Sequence, residues 1–394
     1  MTETKEPRPV GVGAIARLFL KLGTIGFGGP AAHIAMMEDE VVGRRKWLSR
    51  ESFLDLLGAT HLIPGPNSTE MAIHIGYRRG GWPGLLTAGI CFILPAVLIT
   101  GVLAAVYVRW GTLPELDPVL AGVKPVVVAV IAAALLRLGR TAARDWRLAM
   151  IGIAVAAVSY RQGFEVVALL AGGLLGMLWI GLRKPAGPAI WAGLTAALGA
   201  VPARAAAISA AAAAAGGAAA PVPLWTLGLF FLKVGAVLFG SGYVLIAFLE
   251  GGLVDDLGLI TSEQLMEAVA VGQFTPGPVL STATFIGYVI AGPWGALVAT
   301  VAIFMPSFFY VAAVNPLIPR LRESRWAGAF LDGVNAGATG LMLAVTVKLA
   351  EASLTGGFSW WMAGMAFLIA AYTGMSPAWL ILAGALTGYL VSMG

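Results

Sequence analysis

The stretch Phe19–His33, FLKLGTIGFGGPAAH, is apolar apart from one lysine and is interrupted by Gly-Gly-Pro. A cation and a helix-breaking turn inside a hydrophobic run both cost free energy, so the reason for their presence decides the fold. The stretch returns 212 positions later: FLKLGTIGFGGP at Phe19–Pro30 aligns with FLKVGAVLFGSG at Phe231–Gly242, placing Lys21 on Lys233, Phe27 on Phe239 and Gly28 on Gly240. The same shift carries Pro64-Gly65-Pro66 onto Pro276-Gly277-Pro278 and Glu38 onto Glu250, and a shift of 211 carries Pro95 onto Pro306 and Gly122 onto Gly333. Several motifs in one register indicate a duplication that covers most of each half.

Around this duplication the chain is strongly apolar, 59% hydrophobic and 11% charged over 394 residues with a mean hydropathy of +0.87. Apolar runs such as Pro83–Val108, Val119–Leu138 and Pro293–Ile318 are long enough to cross about 30 Å of hydrocarbon as helices. They are continuous rather than alternating, which excludes barrel strands and predicts an all-α polytopic membrane protein. The polar N-terminus, Met1–Val10, lacks a small-residue cleavage pattern, so no signal peptide is expected. The single cysteine, Cys91, permits neither an internal disulfide nor a thiolate metal cluster. No basic stretch with interleaved aromatics points to nucleic acid, and no Gly-Lys-Ser/Thr phosphate loop points to ATP hydrolysis.

Loop charges divide the halves. Arg44, Arg45, Lys46 and Arg50, then Arg78 and Arg79, and later Arg137, Arg140, Arg144 and Arg147 belong in the cytoplasm by the positive-inside rule. The second-half equivalent of the Arg44 cluster is the acidic EGGLVDDLG, Glu250–Gly258, whereas the acidic Glu115 and Asp117 of the first half face Arg320, Arg322 and Arg325 in the second. This opposite polarity predicts two inverted-topology repeats: residues 1–184, an Ala/Gly/Pro-rich linker at 185–223 contributing one crossing, and residues 224–394. About six elements per half and one in the linker place the N-terminus in the cytoplasm and the C-terminus in the periplasm.

The first two elements of each half carry breaks, at Phe27-Gly28-Gly29-Pro30 and at Pro64-Gly65-Pro66, and each element reads as two half-helices. Broken backbone within a bilayer persists where protein or a water-filled cavity surrounds it. A half-helix that starts after a break points free amides and a positive dipole end at the cavity, which suits an anion. Asn67, Ser68 and Thr69 add side-chain donors after Pro66, and Ser281 follows Pro278 in the second, less polar copy. Lys21 and Lys233 sit about two turns before the breaks, either as anion contacts or as cations that snorkel or pair with an acid. Lys124, Arg137 and Lys348 lie near span ends, where snorkelling is the default.

His33, His61 and His74 all lie in the first half, and His61 maps to Gln273. They have no metal-ligand spacing, so hydrogen bonding to an oxyanion or to protons competes with plain packing. Glu38, its repeat Glu250, and Glu70, which stands four residues before His74 on one helical face, are candidates for proton coupling against a reading as interface residues. No nucleophile, base and orienting residue occur at catalytic spacing, so no enzyme, cofactor or metal is expected.

With these residues in view, the sequence resembles the chromate ion transporter family. The resemblance rests on the duplicated FLKxG…FGGP element with its AAHIAMMEDEVV continuation, on WLSRESFLDLLGATHLIPGPNSTEMAIHIGYRRGGWPG, and on VGQFTPGPVLSTATFIGYVIAG. It implies a secondary transporter in the bacterial inner membrane that exports chromate and confers resistance to it. The family's glycine and proline motifs carry over to Phe27, Gly28, Gly29, Pro30, Pro64, Gly65 and Pro66, and to Phe239, Gly240, Pro276, Gly277 and Pro278. The chain departs from a perfect duplication at Ser241-Gly242, which implies halves of unequal function. The candidate substrate contacts are therefore Lys21, Phe27–Pro30, His33, Pro64–Thr69, Lys233, Gly240, Ser241, Gln273, Pro276–Pro278 and Ser281. Amides, hydroxyls and a lysine do not by themselves separate chromate from sulfate. A passive channel or a carrier of sulfate-like oxyanions is the alternative, and a homodimer in the bilayer is left open.

Overall fold

A computed structural model describes residues 10–111, 117–142, 144–162, 165–181, 222–239, 242–314 and 325–393. Among these residues every regular element is a helix. Most of the expected linker, and the site candidates Gly240 and Ser241, lie outside the described residues.

The sequence breaks are breaks in the helices. Helix α1 (Val12–Ile25) ends at Gly26, and α2 (Gly29–Glu38) restarts with Pro30 in its first turn and Gly28 as its N-cap at φ 105°. A π-helical turn (Asp39–Arg44) follows, then α3 (Arg50–Thr60), which starts where Ser49 Oγ accepts from the Ser52 amide at 3.1 Å. After Pro64-Gly65-Pro66 the chain enters α4 (Asn67–Trp110), followed by α5 (Asp117–Ala142), α6 (Trp146–Gln162) and α7 (Glu165–Gly181).

The second half repeats this order. Helices α8 (Leu224–Val237) and α9 (Val244–Leu249) lead into a second π-helical turn (Glu250–Asp256) and then α10 (Ser262–Phe274). A capping box of Thr261 and Gln264 starts α10, and these residues lie 212 positions beyond Ser49 and Ser52. A short 3-10 turn (Val279–Ser281) precedes α11 (Thr282–Val314), and α12 (Arg325–Ser353), α13 (Gly357–Tyr372) and α14 (Pro377–Met393) complete the chain.

At 44 residues, α4 is too long for one straight crossing, since it would extend roughly 66 Å at 1.5 Å per residue. Gly81, at φ 59° and ψ −149°, folds it back on itself. The two arms touch: a Cβ at Gly89 would meet Ile73 Cγ1 at 3.0 Å, and the backbones of Gly76 and Gly84 are in contact. Helix α11 bends likewise at Ala291-Gly292, where Thr284 and Thr300 bond across the bend at 2.7 Å. Among the described residues four helices are long and apolar enough to cross a membrane: α4, α5, α11 with its leading turn, and α12. The chain is an all-α polytopic membrane protein.

Each half completes its packing with helices of the other. Helix α5 packs chiefly against α13 and α14, while its repeat α12 packs against α6 and α7. The closest points correspond: a Cβ at Gly122 would lie 2.9 Å from Gly388 Cα, and one at Gly333 would lie 2.9 Å from Gly176 Cα. Gly176 precedes Gly388 by 212 positions, so each contact is the image of the other, as in a two-fold interface. Polar ties reinforce the exchange, with Tyr107 donating to Glu267 Oε2 at 2.5 Å and Lys124 pairing with Glu263 at 3.0 Å. Lys348 pairs with Asp255 at 2.7 Å and Arg137 donates to the Ala370 carbonyl at 3.3 Å, so these span-end cations are partnered rather than bare.

Candidate functional site

The broken elements meet where the halves cross. The Gly65 amide donates to the Leu238 carbonyl at 2.6 Å, and the Gly277 amide donates to the Gly26 carbonyl at 2.8 Å. Gly65 and Gly277 are repeats of each other, as are Gly26 and Leu238, so the two bonds form a reciprocal pair. Each Pro-Gly-Pro therefore closes the break at the end of the opposite half's first helix. Both glycines have positive φ, 140° at Gly65 and 93° at Gly277, which only glycine adopts without strain. Flanking prolines fix the neighbouring backbone and present the amide outward.

The carbonyls at the ends of α1 and α8 have no intrahelical partner and would be costly if left bare in an apolar setting. Gly26 accepts a second bond from His33 Nε2 at 2.9 Å, so the ring carries its proton on Nε2 and leaves Nδ1 without a partner. His33 is buried and meets Phe92 edge-on, with ring centroids 5.5 Å apart. At the other break, Tyr310 Oη donates to the Ala236 carbonyl at 3.0 Å. Phe27 lies exposed beside the first break, and neither α2 nor α4 has a side-chain cap at its N-terminus.

Around Gly65 the site is polar and buried. A Cβ there would overlap Glu70 Oε1 and lie 2.7 Å from Ser307 Oγ, so α4 and α11 bring a carboxylate and a hydroxyl to one point. Glu70, Thr69 and Ser307 are fully buried, and both Glu70 oxygens, Thr69 Oγ1 and Ser307 Oγ have no hydrogen-bond partner among the described residues. His74, one turn further along α4, is also fully buried with both ring nitrogens unpartnered. Ser68 is buried beside them, and the Asn67 side-chain amide lies 3.2 Å from His61 Nδ1.

Around Gly277 the equivalent positions are Thr282 for Glu70, Ile286 for His74 and Ala96 for Ser307. A Cβ at Gly277 would lie 2.9 Å from Ala96 Cβ. Ser281 is buried and accepts from Thr100 at 3.3 Å, and Gln273 accepts from Tyr243 at 3.3 Å. The second break is therefore the less polar one.

The lysine of the opening motif has a partner. Lys21 Nζ lies 2.5 Å from Glu40 Oε1, and Arg45 Nε lies 3.1 Å from Glu40 Oε2. The Lys21 side chain is 47% exposed while that of Glu40 is 8% exposed, so the lysine neutralises a buried carboxylate in the π-helical turn. Lys21, followed by Arg45, holds the Glu40 carboxyl below the ordinary carboxylate range. Glu38 pairs at the surface with Arg50 at 3.3 Å, and Glu250 accepts from Ser262 at 2.7 Å through one oxygen while the other is unpartnered. Lys233 is exposed on α8.

The structure thus brings Pro64–Thr69, Glu70 and His74 together with Ser307 and Tyr310, and it joins them to the α1 and α8 breaks. Ser307, Tyr310 and Glu40 carried no signal in the repeat, since their equivalents are Ala96, Ile99 and Gly252. Among the described residues, no group of His, Cys, Asp or Glu side chains has the arrangement of a metal site.

Comparison with known proteins places the chain in a family. The model described as "Chromate transporter" matches twice, at residues 13–177 and 225–389, two stretches of equal length displaced by 212 positions. A chromate transport protein of Pseudomonas aeruginosa is 34% identical over 98% of this chain and 94% of its own length. One of Cupriavidus metallidurans is 34% identical over 85% of this chain and 82% of its own, and a probable chromate transport protein of Synechococcus elongatus is 33% identical over 86% and 85%. No solved structure matches the chain.

Proposed function

The chain belongs to the chromate transporter family, and from that premise we propose that it is a secondary transporter that exports chromate across the bacterial inner membrane and so confers resistance. The observation that carries this reading is the crossed pair of bonds, Gly65 to Leu238 and Gly277 to Gly26, which joins the broken elements of one half to those of the other. Uncapped N-termini of α2 and α4 offer amides and a positive dipole end to a tetrahedral dianion. Asn67, Ser68 and Thr69 supply further donors, and Gly28, Gly29 and Pro30 let the anion approach the α2 backbone. In the second half, Gln273 and Ser281 form the lesser counterpart. Lys21, held by Glu40, contributes positive charge near the break rather than a direct contact with the anion.

The reading includes repeats of inverted topology, with the linker crossing once, the N-terminus cytoplasmic and the C-terminus periplasmic. The basic Arg44–Lys46 cluster against the acidic Glu250–Asp256 turn supports that orientation. The reciprocal contacts support a two-fold relation between halves, and no catalytic chemistry is assigned to the chain.

The test is transport of labelled chromate by the full chain in proteoliposomes, with sulfate as competitor and the imposed gradients varied. Accumulation of chromate against its own electrochemical gradient is the expected result. Simple equilibration with the membrane potential would identify a passive channel, and equal competition by sulfate would broaden the substrate to sulfate-like oxyanions.

A further inference from the structure

The anion site proposed above contains an acid, and that inference rests on the transport reading. Glu70 lies in the first turn of α4, the turn whose amides face the anion, and its carboxylate is fully buried against Gly65. An ionised carboxylate and a dianion in one dehydrated pocket repel each other strongly, as paired carboxylates do when they share a proton. A protonated Glu70 does not repel the anion and becomes a donor, since a carboxylic acid carries one O–H.

No cation pairs with Glu70 among the described residues. On its own helix it faces His74, and from α11 it faces the hydroxyls of Ser307 and Tyr310. Arg78 and Arg79 stand about two turns further along α4. On the elements packed against α4, Lys21 of α1 is held by Glu40, Arg17 by the Gly13 carbonyl, His33 of α2 by Gly26, His61 after α3 by Asn67, and Glu267 of α10 by Tyr107 at the far end of α4. The repeat position is Thr282, so the carboxylate is a property of one half only.

We infer that Glu70 binds a proton together with the oxyanion. The balance is one carboxylate, one proton and one dianion giving one carboxylic acid beside the bound dianion, and the proton comes from water on the side from which the anion enters.

Titration calorimetry of the full chain with chromate, at alkaline pH where the anion is fully ionised and in two buffers of different ionisation enthalpy, reads this directly. At a pH high enough to ionise Glu70 in the free protein, the wild type is expected to take up close to one proton per chromate, and its affinity is expected to fall by up to about tenfold per pH unit. Glu70→Gln is expected to bind chromate with no proton uptake and a flat pH profile. Should E70Q fail to fold, the wild-type slope and Glu70→Asp decide, since the aspartate variant is expected to keep the slope. Proton uptake that survives in E70Q, or that vanishes in His74→Asn instead, overturns the inference. So does wild-type binding that is indifferent to pH, or that follows sodium at constant pH. Absence of chromate binding at every pH would overturn the transport reading itself and this inference with it.

Discussion

The Gly277 amide lies 2.8 Å from the Gly26 carbonyl, and this bond links the second element of one half to the first element of the other. Its image, from Gly65 to Leu238, has the same form with different side chains around it. The pair joins halves that are equal in backbone and unequal in chemistry.

Both glycines are predicted to be intolerant of a side chain. Gly277→Ala would force alanine to φ 93° and press its methyl against Ala96, and Gly65→Ala would drive a methyl into Glu70. Backbone strain alone is about 1–3 kcal/mol. Lower thermal stability in detergent and a loss of chromate transport of at least about tenfold are expected, with Gly65→Ala the more severe.

Ser307→Ala is expected to separate function from stability. The hydroxyl is buried without a partner among the described residues, so its removal should leave the melting temperature unchanged or raised. If it contacts the anion, the KM for chromate should rise about fivefold, the worth of one hydrogen bond of about 1 kcal/mol. Ala96→Ser, at the repeat position, should leave the KM unchanged and lower the melting temperature, because it buries a hydroxyl in a tightly packed place.

The Glu40 cluster has a pH signature. Its folded carboxyl titrates below the ordinary carboxylate range because Lys21, and then Arg45, favour the charged form. A depressed folded pKa contributes stability that is present above the ordinary carboxylate pKa and is lost as pH falls through the folded value. Thermal melts across acidic pH should therefore show a steeper decline for wild type than for Glu40→Gln. Lys21→Ala should lessen the effect without abolishing it, because Arg45 remains.

Orientation can be read by labelling. With Cys91→Ser as background, Arg44→Cys is expected to react with an impermeant maleimide only from the cytoplasmic side, and Asp256→Cys only from the periplasmic side. Both residues are exposed in their π-helical turns. Reaction of both from one side would show that the halves are parallel.

The duplication and the breaks were legible in the sequence because they are local chemistry. Glycine at positive φ and proline at a helix start leave the same trace in both copies. Which break each Pro-Gly-Pro closes was not legible, since a bond between residues more than 170 positions apart, 65 and 238, leaves no periodic pattern. Glu38 matches Glu250 across the repeat, and it pairs at the surface with Arg50. The buried acid that holds Lys21 is Glu40, whose repeat is Gly252 and which symmetry therefore hides. Glu70 was visible as one face with His74, but its burial against Gly65 and Ser307 required the other half.

The exchanged packing predicts the behaviour of fragments. Residues 1–184 and 224–394 expressed separately should be degraded or aggregate, because α5 and α12 each lack their main partners. Co-expressed, the two should copurify, and recovery of either half as a folded monomer would contradict the exchange.

Seen from the ribosome, the contact of Gly122 with Gly384 and Gly388 sets an order of events. Gly384 is made 262 residues after Gly122, a delay of about 13–50 s at typical synthesis rates. For that interval the small-residue face of α5 has only lipid or the insertion machinery to rest against. Synthesis of α14 therefore controls when α5 becomes native.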